Sequence, residues 1–173
     1  MSDKNNRPGA DIVFRRPETR DGKDIYEIAR ASGTLDLNSV YHYLLLCRYF
    51  ADTSMIAEKQ GRVIGFCTAF TPPGAPDTVF VWQVAVDRQE RGQGIGVRIL
   101  IEIINTLRSL NIKYLDATIT SSNIASIKLF TSAAQQLNAP FTFEKDFFTA
   151  ADFGENVHES EKLFHIGPIP YSS

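Results

Sequence analysis

The 173-residue chain is 43% hydrophobic and 22% charged, long enough for one domain with a real core and too apolar for intrinsic disorder. Eighteen basic against twenty acidic side chains leave a net charge of −2, without the basic excess that marks a nucleic-acid binder. No apolar run approaches the ~20 residues of a membrane span, Met1–Asp11 lacks the apolar segment of a secretion signal, and Cys47 and Cys67 form neither a disulfide framework nor a zinc-binding pair.

These readings predict a cytoplasmic single domain with a small-molecule partner and no nucleic acid, membrane or metal. Residues 1–10 read as a disordered tail, 11–167 as the domain and 168–173 as a flexible C-terminus. Ile12 to Arg16 predicts a short strand closed by Pro17. Asp21 opens an amphipathic helix with Ile25, Ile28 and Ala29 on one face, ended by Gly33. A second helix is expected from Asn38, stacking Val40, Leu44 and Cys47. Strands over Ser54–Lys59 and Arg62–Phe70 flank Gln60–Gly61, a two-residue hairpin turn. Thr78 to Asp87 is a long strand rich in Val and aromatics. After a glycine turn, Ile95, Ile99, Ile103 and Leu107 repeat along a helix. Tyr114–Thr120 follows as a strand, Asn123 caps a last helix, and Phe141–Asp146 and Lys162–Ile166 supply two closing strands. The fold class expected is a mixed α/β sheet of about six to seven strands flanked by about four helices.

The sharpest local signal is Arg91–Gly92–Gln93–Gly94–Ile95–Gly96, between a hydrophobic strand and an amphipathic helix. Glycines let the backbone turn tightly and approach a ligand. The first N–H groups of a helix lack intrahelical acceptors and favour an anion, of which a pyrophosphate is the natural example. Arg88, Arg91 and Arg98 add positive charge nearby. A P-loop is excluded because Gly96 is followed by Val97 and Arg98. A dinucleotide fingerprint fits Gly92 and Gly94 but meets Val97 at its third position, with Asp116 as a tempting ribose ligand; no second βαβ half follows. A glycine-rich connection holding no ligand is the plain alternative.

The pattern R-x-x-G-x-G after a Val-rich strand resembles the acetyl-CoA-binding signature of the GNAT acetyltransferases, and the resemblance runs from about Ile12 to Ile166. It implies the GNAT fold, in which the strand before the loop and the next strand splay to form the acetyl-CoA cleft. It places Val84, Ala85, Val86, Arg91, Gly92, Gln93, Gly94, Ile95 and Gly96 on the cofactor, with Val84 or Ala85 as the backbone donor for the thioester oxyanion. Asn123 and Ser126 join them from N-x-x-A-x-x-x-Y, although Asn123 also serves as a helix cap. The tyrosine that often protonates the leaving thiolate is Phe130 here, which leaves the general acid to another group or to water.

Phe14–Arg15–Arg16–Pro17, Leu35 to Tyr41, Val81 to Val86 and Asn156 to Glu161 further resemble one subfamily, the L-2,4-diaminobutyrate acetyltransferases. These make the middle step of the synthesis of ectoine, a compatible solute of osmotic stress. The resemblance implies acetyl transfer from acetyl-CoA to the γ-amine of diaminobutyrate in a cytoplasmic homodimer. Five acids and no arginine in Asp146–Glu161, with Asp36 before a helix, suit a dicationic substrate, or form a solvated acidic loop.

Amine attack needs the free base. An alkyl ammonium of pKa near ~10.4 is neutral about once in a thousand molecules at pH 7.4, a deficit of about 4 kcal/mol. Glu161, assisted or replaced by His158, is the expected base. Asp36 is expected to pair with an ammonium, or to act only as a turn residue. Tyr41 offers a phenol to substrate or thiolate, or packs its helix. Trp82 faces an ammonium or the core. Leu37 and Asn38 complete the expected substrate contacts, with Thr34 a weaker candidate. The alternatives are a GNAT enzyme for a polyamine, aminoglycoside or protein lysine, and a non-catalytic acyl-CoA sensor.

Overall fold

The computed structural model describes residues 12–144, 146–154 and 158–171; the tail expected over 1–10, together with Asn156 and Val157, lies outside them. In chain order these residues form β1 Ile12–Arg15, α1 Gly22–Ser32, α2 Val40–Tyr49, β2 Met55–Lys59, β3 Arg62–Phe70, β4 Thr78–Val86, α3 Ile95–Leu107, β5 Tyr114–Thr120, α4 Ile124–Gln136, β6 Phe141–Thr142, β7 Asp146–Phe148 and β8 Glu161–Ile166. The strands make one mixed sheet in the order β1-β2-β3-β4-β5-β8-β6, with β7 also paired to β8. The described strands number eight because the expected closing strand Phe141–Asp146 is two short pieces. Both lie along β8, Phe141 opposite Ile166 and Asp146 opposite Lys162.

Local chemistry accounts for the punctuation. Gln60 and Gly61 both take positive φ, 52° and 76°, the backbone of a two-residue primed turn between β2 and β3. Gly33 ends α1 in the left-handed conformation at φ 69°. The α2 cap is Ser39 rather than Asn38, its hydroxyl accepting the His42 N–H at 3.2 Å. The buried stripe of α2 is Tyr43, Leu46 and Cys47, while Val40 is exposed. Tyr43 takes an inward position because its hydroxyl finds a buried partner in Gln83.

Two cores sandwich the sheet. On one face α3 sinks Ile95, Ile99, Ile103 and Leu107 beside α4 and the inner residues of β3, β4, β5 and β8. A Cβ at Gly96 would sit 2.7 Å from Leu129 Cδ1, so this glycine permits the close approach of α3 to α4. On the other face α1 and α2 pack Ile25, Tyr43 and Leu46 on Ile56, Val63 and Phe66. Cys47 and Cys67 are buried and free; burial pushes the Cys47 thiol up to about 12 and the Cys67 thiol higher still. The packed chain extends past the expected boundary at 167: Ile169 is buried, its N–H donates to the Lys113 carbonyl, and the Tyr171 hydroxyl donates to that of Ile112.

One feature of the sheet creates the site. β4 and β5, the only parallel neighbours among the described strands, pair from Thr78–Tyr114 to Phe80–Asp116 and then separate. β4 continues beside β3 as far as Val86, and β5 beside β8 as far as Thr120. Between them opens a wedge-shaped cleft. At its apex β4 carries a bulge: Thr68 pairs with Gln83 and Ala69 with Val81, leaving Trp82 as the extra residue.

Candidate active site

The outer part of the cleft is a groove of about 420 Å3 between the end of β4, the glycine turn and the start of α4. Gly92 and Gly94 have φ of 79° and 72°, conformations that side chains other than glycine's rarely adopt, and a Cβ on either would meet no atom within 4 Å. The turn is therefore open above its backbone. Gly94 caps α3 without any side-chain bond, and the first backbone bond of the helix runs from Arg98 N–H to the Gly94 carbonyl. The N–H groups of Ile95, Gly96 and Val97 thus remain available at the positive end of a 13-residue helix. Arg91 is braced by an Nε–H bond to the Val86 carbonyl at 3.1 Å and lines the groove. These groups fit a pyrophosphate, and the unpaired stretch of β4 before them suits an extended amide-bearing arm.

The inner part is a cavity of about 450 Å3 that borders Thr34, Val84, Asn123 and Ser126 in common with the groove. Its walls are aromatic on three sides, from Phe80 and Trp82 of β4, Phe148 of β7 and Phe153 of the following loop. Its polar groups gather at one end. His158 Nδ1–H donates to the Glu159 carbonyl at 2.7 Å; because a carbonyl can only accept, this bond sets the tautomer and leaves Nε2 facing the cavity. Nε2 lies 3.8 Å from a carboxylate oxygen of Asp36 and 3.8 Å from one of Glu161. The imidazole packs against the Phe153 ring, centroids 4.4 Å apart and planes tilted by 32°. Among the described residues, neither carboxylate has a lysine or arginine within ion-pair distance. Their charge is available to a cationic ligand.

The structure brings together most of the side chains expected from sequence. Asp36, Asn38, Trp82, His158, Glu161 and Thr34 line the cavity. Val84, Ala85, Val86, Arg91, Gly92, Gly94, Ile95, Gly96, Asn123 and Ser126 line the groove, whereas Gln93 turns away to donate to Glu90. Asn123 does cap α4, its Oδ1 accepting the Ser126 N–H at 3.1 Å; its amide NH2 remains for a ligand. Phe130 is buried against Phe164 and also borders the cavity, without a hydroxyl to offer.

Other expectations need correction. Tyr41 lines neither space and is 67% exposed, because it stands about 200° around the helix from the inward Tyr43. Leu37, flanked by two lining residues, points out and is likewise exposed. Arg98 stacks its guanidinium over Phe14 at 4.6 Å instead of lining the groove, and Arg88 borders an adjacent depression with Glu27 and Asp87. Regular strand alternation would put Trp82 and Val84 on one face, but the bulge turns Trp82 toward His42 on α2, while Val84 packs on the α3–α4 side. The acids after Asp146 do not act as a set. Asp152 closes a turn on Thr149, whose backbone N–H and hydroxyl hold its carboxyl below the usual range. Glu159 accepts from the Ser122 hydroxyl, and of the described acids in that stretch only Glu161 lines the cavity. Among the described residues, no three His, Cys, Asp or Glu side chains converge to hold a metal ion.

Sequence reading missed Phe148, Phe153 and Gln83. The two phenylalanines stood in view within the acidic loop, but only the folded loop sets them against His158. Gln83 lies in the buried interior of β4 and bonds at both ends of its amide, to the Tyr43 hydroxyl and the Asp36 carbonyl.

Comparison with known proteins adds three findings. The acetyltransferase (GNAT) family profile matches residues 22–134. The L-2,4-diaminobutyric acid acetyltransferase of Marinococcus halophilus is 45% identical over 158 residues, 91% of each chain, and that of Virgibacillus pantothenticus is 39% identical over 88% of this chain and 96% of its own. The solved structure of the diaminobutyrate acetyltransferase EctA from Paenibacillus lautus, in complex with its substrate L-2,4-diaminobutyric acid and coenzyme A, superposes with a TM-score of 0.86 at 42% identity, covering 95% of this chain and 99% of that one.

Proposed function

Because this chain belongs to the GNAT acetyltransferase family, and within it to the diaminobutyrate acetyltransferases, we propose that it transfers the acetyl group of acetyl-CoA to the γ-amine of L-2,4-diaminobutyrate, yielding N4-acetyl-L-2,4-diaminobutyrate for ectoine synthesis. It does so as a cytoplasmic homodimer. The observation that carries the reading is the meeting of Asp36, Glu161 and His158 Nε2 at the inner end of a cleft whose outer end is built for a pyrophosphate.

Acetyl-CoA supplies the thioester, whose C–S bond breaks as the amine N–C bond forms. The glycine turn and α3 N-terminus hold the pyrophosphate, and the unpaired edge of β4 from Val81 to Val86 receives the pantetheine arm, with a backbone N–H at Val84 or Ala85 for the oxyanion. Asp36 and Glu161 attract the two ammonium groups of the acceptor, and Trp82 offers a ring face to either. His158 Nε2 or Glu161, directly or through water, takes the proton that leaves the attacking amine. Among the described residues no tyrosine borders the cavity, and Tyr41 stands outside it, so this reading returns the proton to sulfur without a tyrosine. A thiolate of ordinary pKa near ~8.5 leaves without a dedicated acid and is protonated by solvent.

Release of free thiol from acetyl-CoA, measured with diaminobutyrate, putrescine, an aminoglycoside and a lysine peptide, tests the proposal. Diaminobutyrate is expected to be used far better than the others. Equal use of putrescine would overturn the assignment of substrate, and tight acetyl-CoA binding with no thiol released by any amine would make the protein an acyl-CoA sensor.

A further inference from the structure

Asp36 presents a problem of placement. Its side chain is 89% exposed, and its carboxylate accepts no hydrogen bond among the described residues, His158 Nε2 standing 3.8 Å away. The segment that carries it, Thr34–Asn38, has no regular secondary structure. Its start is tied by the Thr34 and Leu35 N–H groups to the Ser32 hydroxyl, each at 3.3 Å, and its end runs into the Ser39 cap. Only the backbone can fix where the carboxylate stands; the Asp36 carbonyl accepts a long local bond from the Asn38 amide at 3.4 Å and a shorter one from the sheet.

The holder is Gln83. It is 6% exposed, in the interior of β4 beside the bulge. The Asp36 carbonyl can only accept, so the amide at 2.7 Å from it is the NH2 end, and Gln83 Oε1 must then accept from the Tyr43 hydroxyl at 2.9 Å. Tyr43 is itself fully buried in the α1–α2 core. The bulge matters here, because it turns Gln83 as well as Trp82 toward α2 and so lets a β4 side chain reach over the cleft apex to the Asp36 segment. A buried amide with both ends satisfied in one direction has one low-energy orientation.

We infer that Gln83 is a positioning residue of the acceptor site: with Tyr43 behind it, it locks the Asp36 backbone so that the carboxylate faces His158 Nε2 and an incoming ammonium. The inference rests on the reading of Asp36 as an ammonium contact. Gln83→Met keeps length and packing while removing the donor, and is expected to raise the KM for diaminobutyrate about five- to tenfold, leaving the KM for acetyl-CoA unchanged. Tyr43→Phe keeps the Gln83 bond to Asp36 and removes the support behind it, together with the hydroxyl's contact with Asn38, so a smaller rise of the same kind is expected; it carries the test if Gln83→Met does not fold.

Backbone hydrogen exchange over residues 34–38 in the ligand-free protein gives a readout that needs no substrate. It should quicken in both variants, more in Gln83→Met. Unchanged exchange there, or a parallel rise in both KM values, would overturn the positioning role. If the wild-type protein fails to acetylate diaminobutyrate, the substrate assignment falls, and the exchange measurement alone then decides for or against the lock.

Discussion

His158 holds its Nε2 3.8 Å from a carboxylate oxygen of Glu161, three residues further along the chain, while its Nδ1–H is committed to the Glu159 carbonyl. In the neutral ring Nε2 carries the lone pair, so the pair presents two proton acceptors to one point of the cavity. On the proposed mechanism, freeing the amine is a function these two residues share. Each of Glu161→Gln and His158→Ala is expected to lower kcat by roughly 10²-fold or more with both substrates saturating. The loss should be smaller at high pH, where the amine supplies its own free base. If both variants keep wild-type turnover at neutral pH, neither residue is the base.

Gly94→Ala places a side chain at a φ of 72° directly before the free N–H groups of α3. The strain alone costs about 1–2 kcal/mol, and relief of it moves the amides proposed to hold the pyrophosphate. The expected result is a KM for acetyl-CoA raised about tenfold or more, with the KM for diaminobutyrate little changed. Titration with coenzyme A by calorimetry checks the effect without turnover.

Stability should report a partly buried ion pair whose residues line neither the cavity nor the groove. Arg15 binds Asp21 through two bonds of 2.8 and 2.9 Å and also reaches Glu58. Burial pushes the Asp21 carboxyl up, but the Arg15 guanidinium and the Glu18 N–H outweigh it and hold the group below its ordinary value of 3.8. A carboxyl depressed in the folded state contributes stability above its unfolded pKa and loses it as pH falls through the folded one. Asp21→Asn is expected to cost about 3 kcal/mol at pH 7, with the gap from wild type constant between about pH 6 and 8 and closing below about pH 4. Urea denaturation at a series of pH values measures it; a gap independent of pH down to 3 would contradict the pairing.

What the sequence made legible was what local chemistry decides. The Gln60–Gly61 turn, the Gly33 stop and the open glycine turn follow from backbone conformations that few residues adopt, and the Asn123 cap from a side-chain oxygen placed to accept a helix N–H. Asp36, His158 and Glu161 were readable as residue types suited to a diamine, though only the fold brings segments more than 120 residues apart to one histidine nitrogen. The bulge at Trp82 was not legible, because it arises from the register between two strands and breaks the alternation that a single strand implies. Nor was the choice between Tyr41 and Tyr43, two residues of one kind on one helix; the one that turned inward is the one whose hydroxyl meets Gln83.

The central claim is the transfer of acetyl to one particular nitrogen of one particular diamine. NMR of the product formed from L-2,4-diaminobutyrate and acetyl-CoA tests it most directly, since an acetyl group shifts the protons on the carbon it is attached through. A single product is expected, with the γ-methylene protons shifted by amide formation and the α-proton little changed. A product acetylated at the α-amine, or no product beside intact acetyl-CoA, would contradict it.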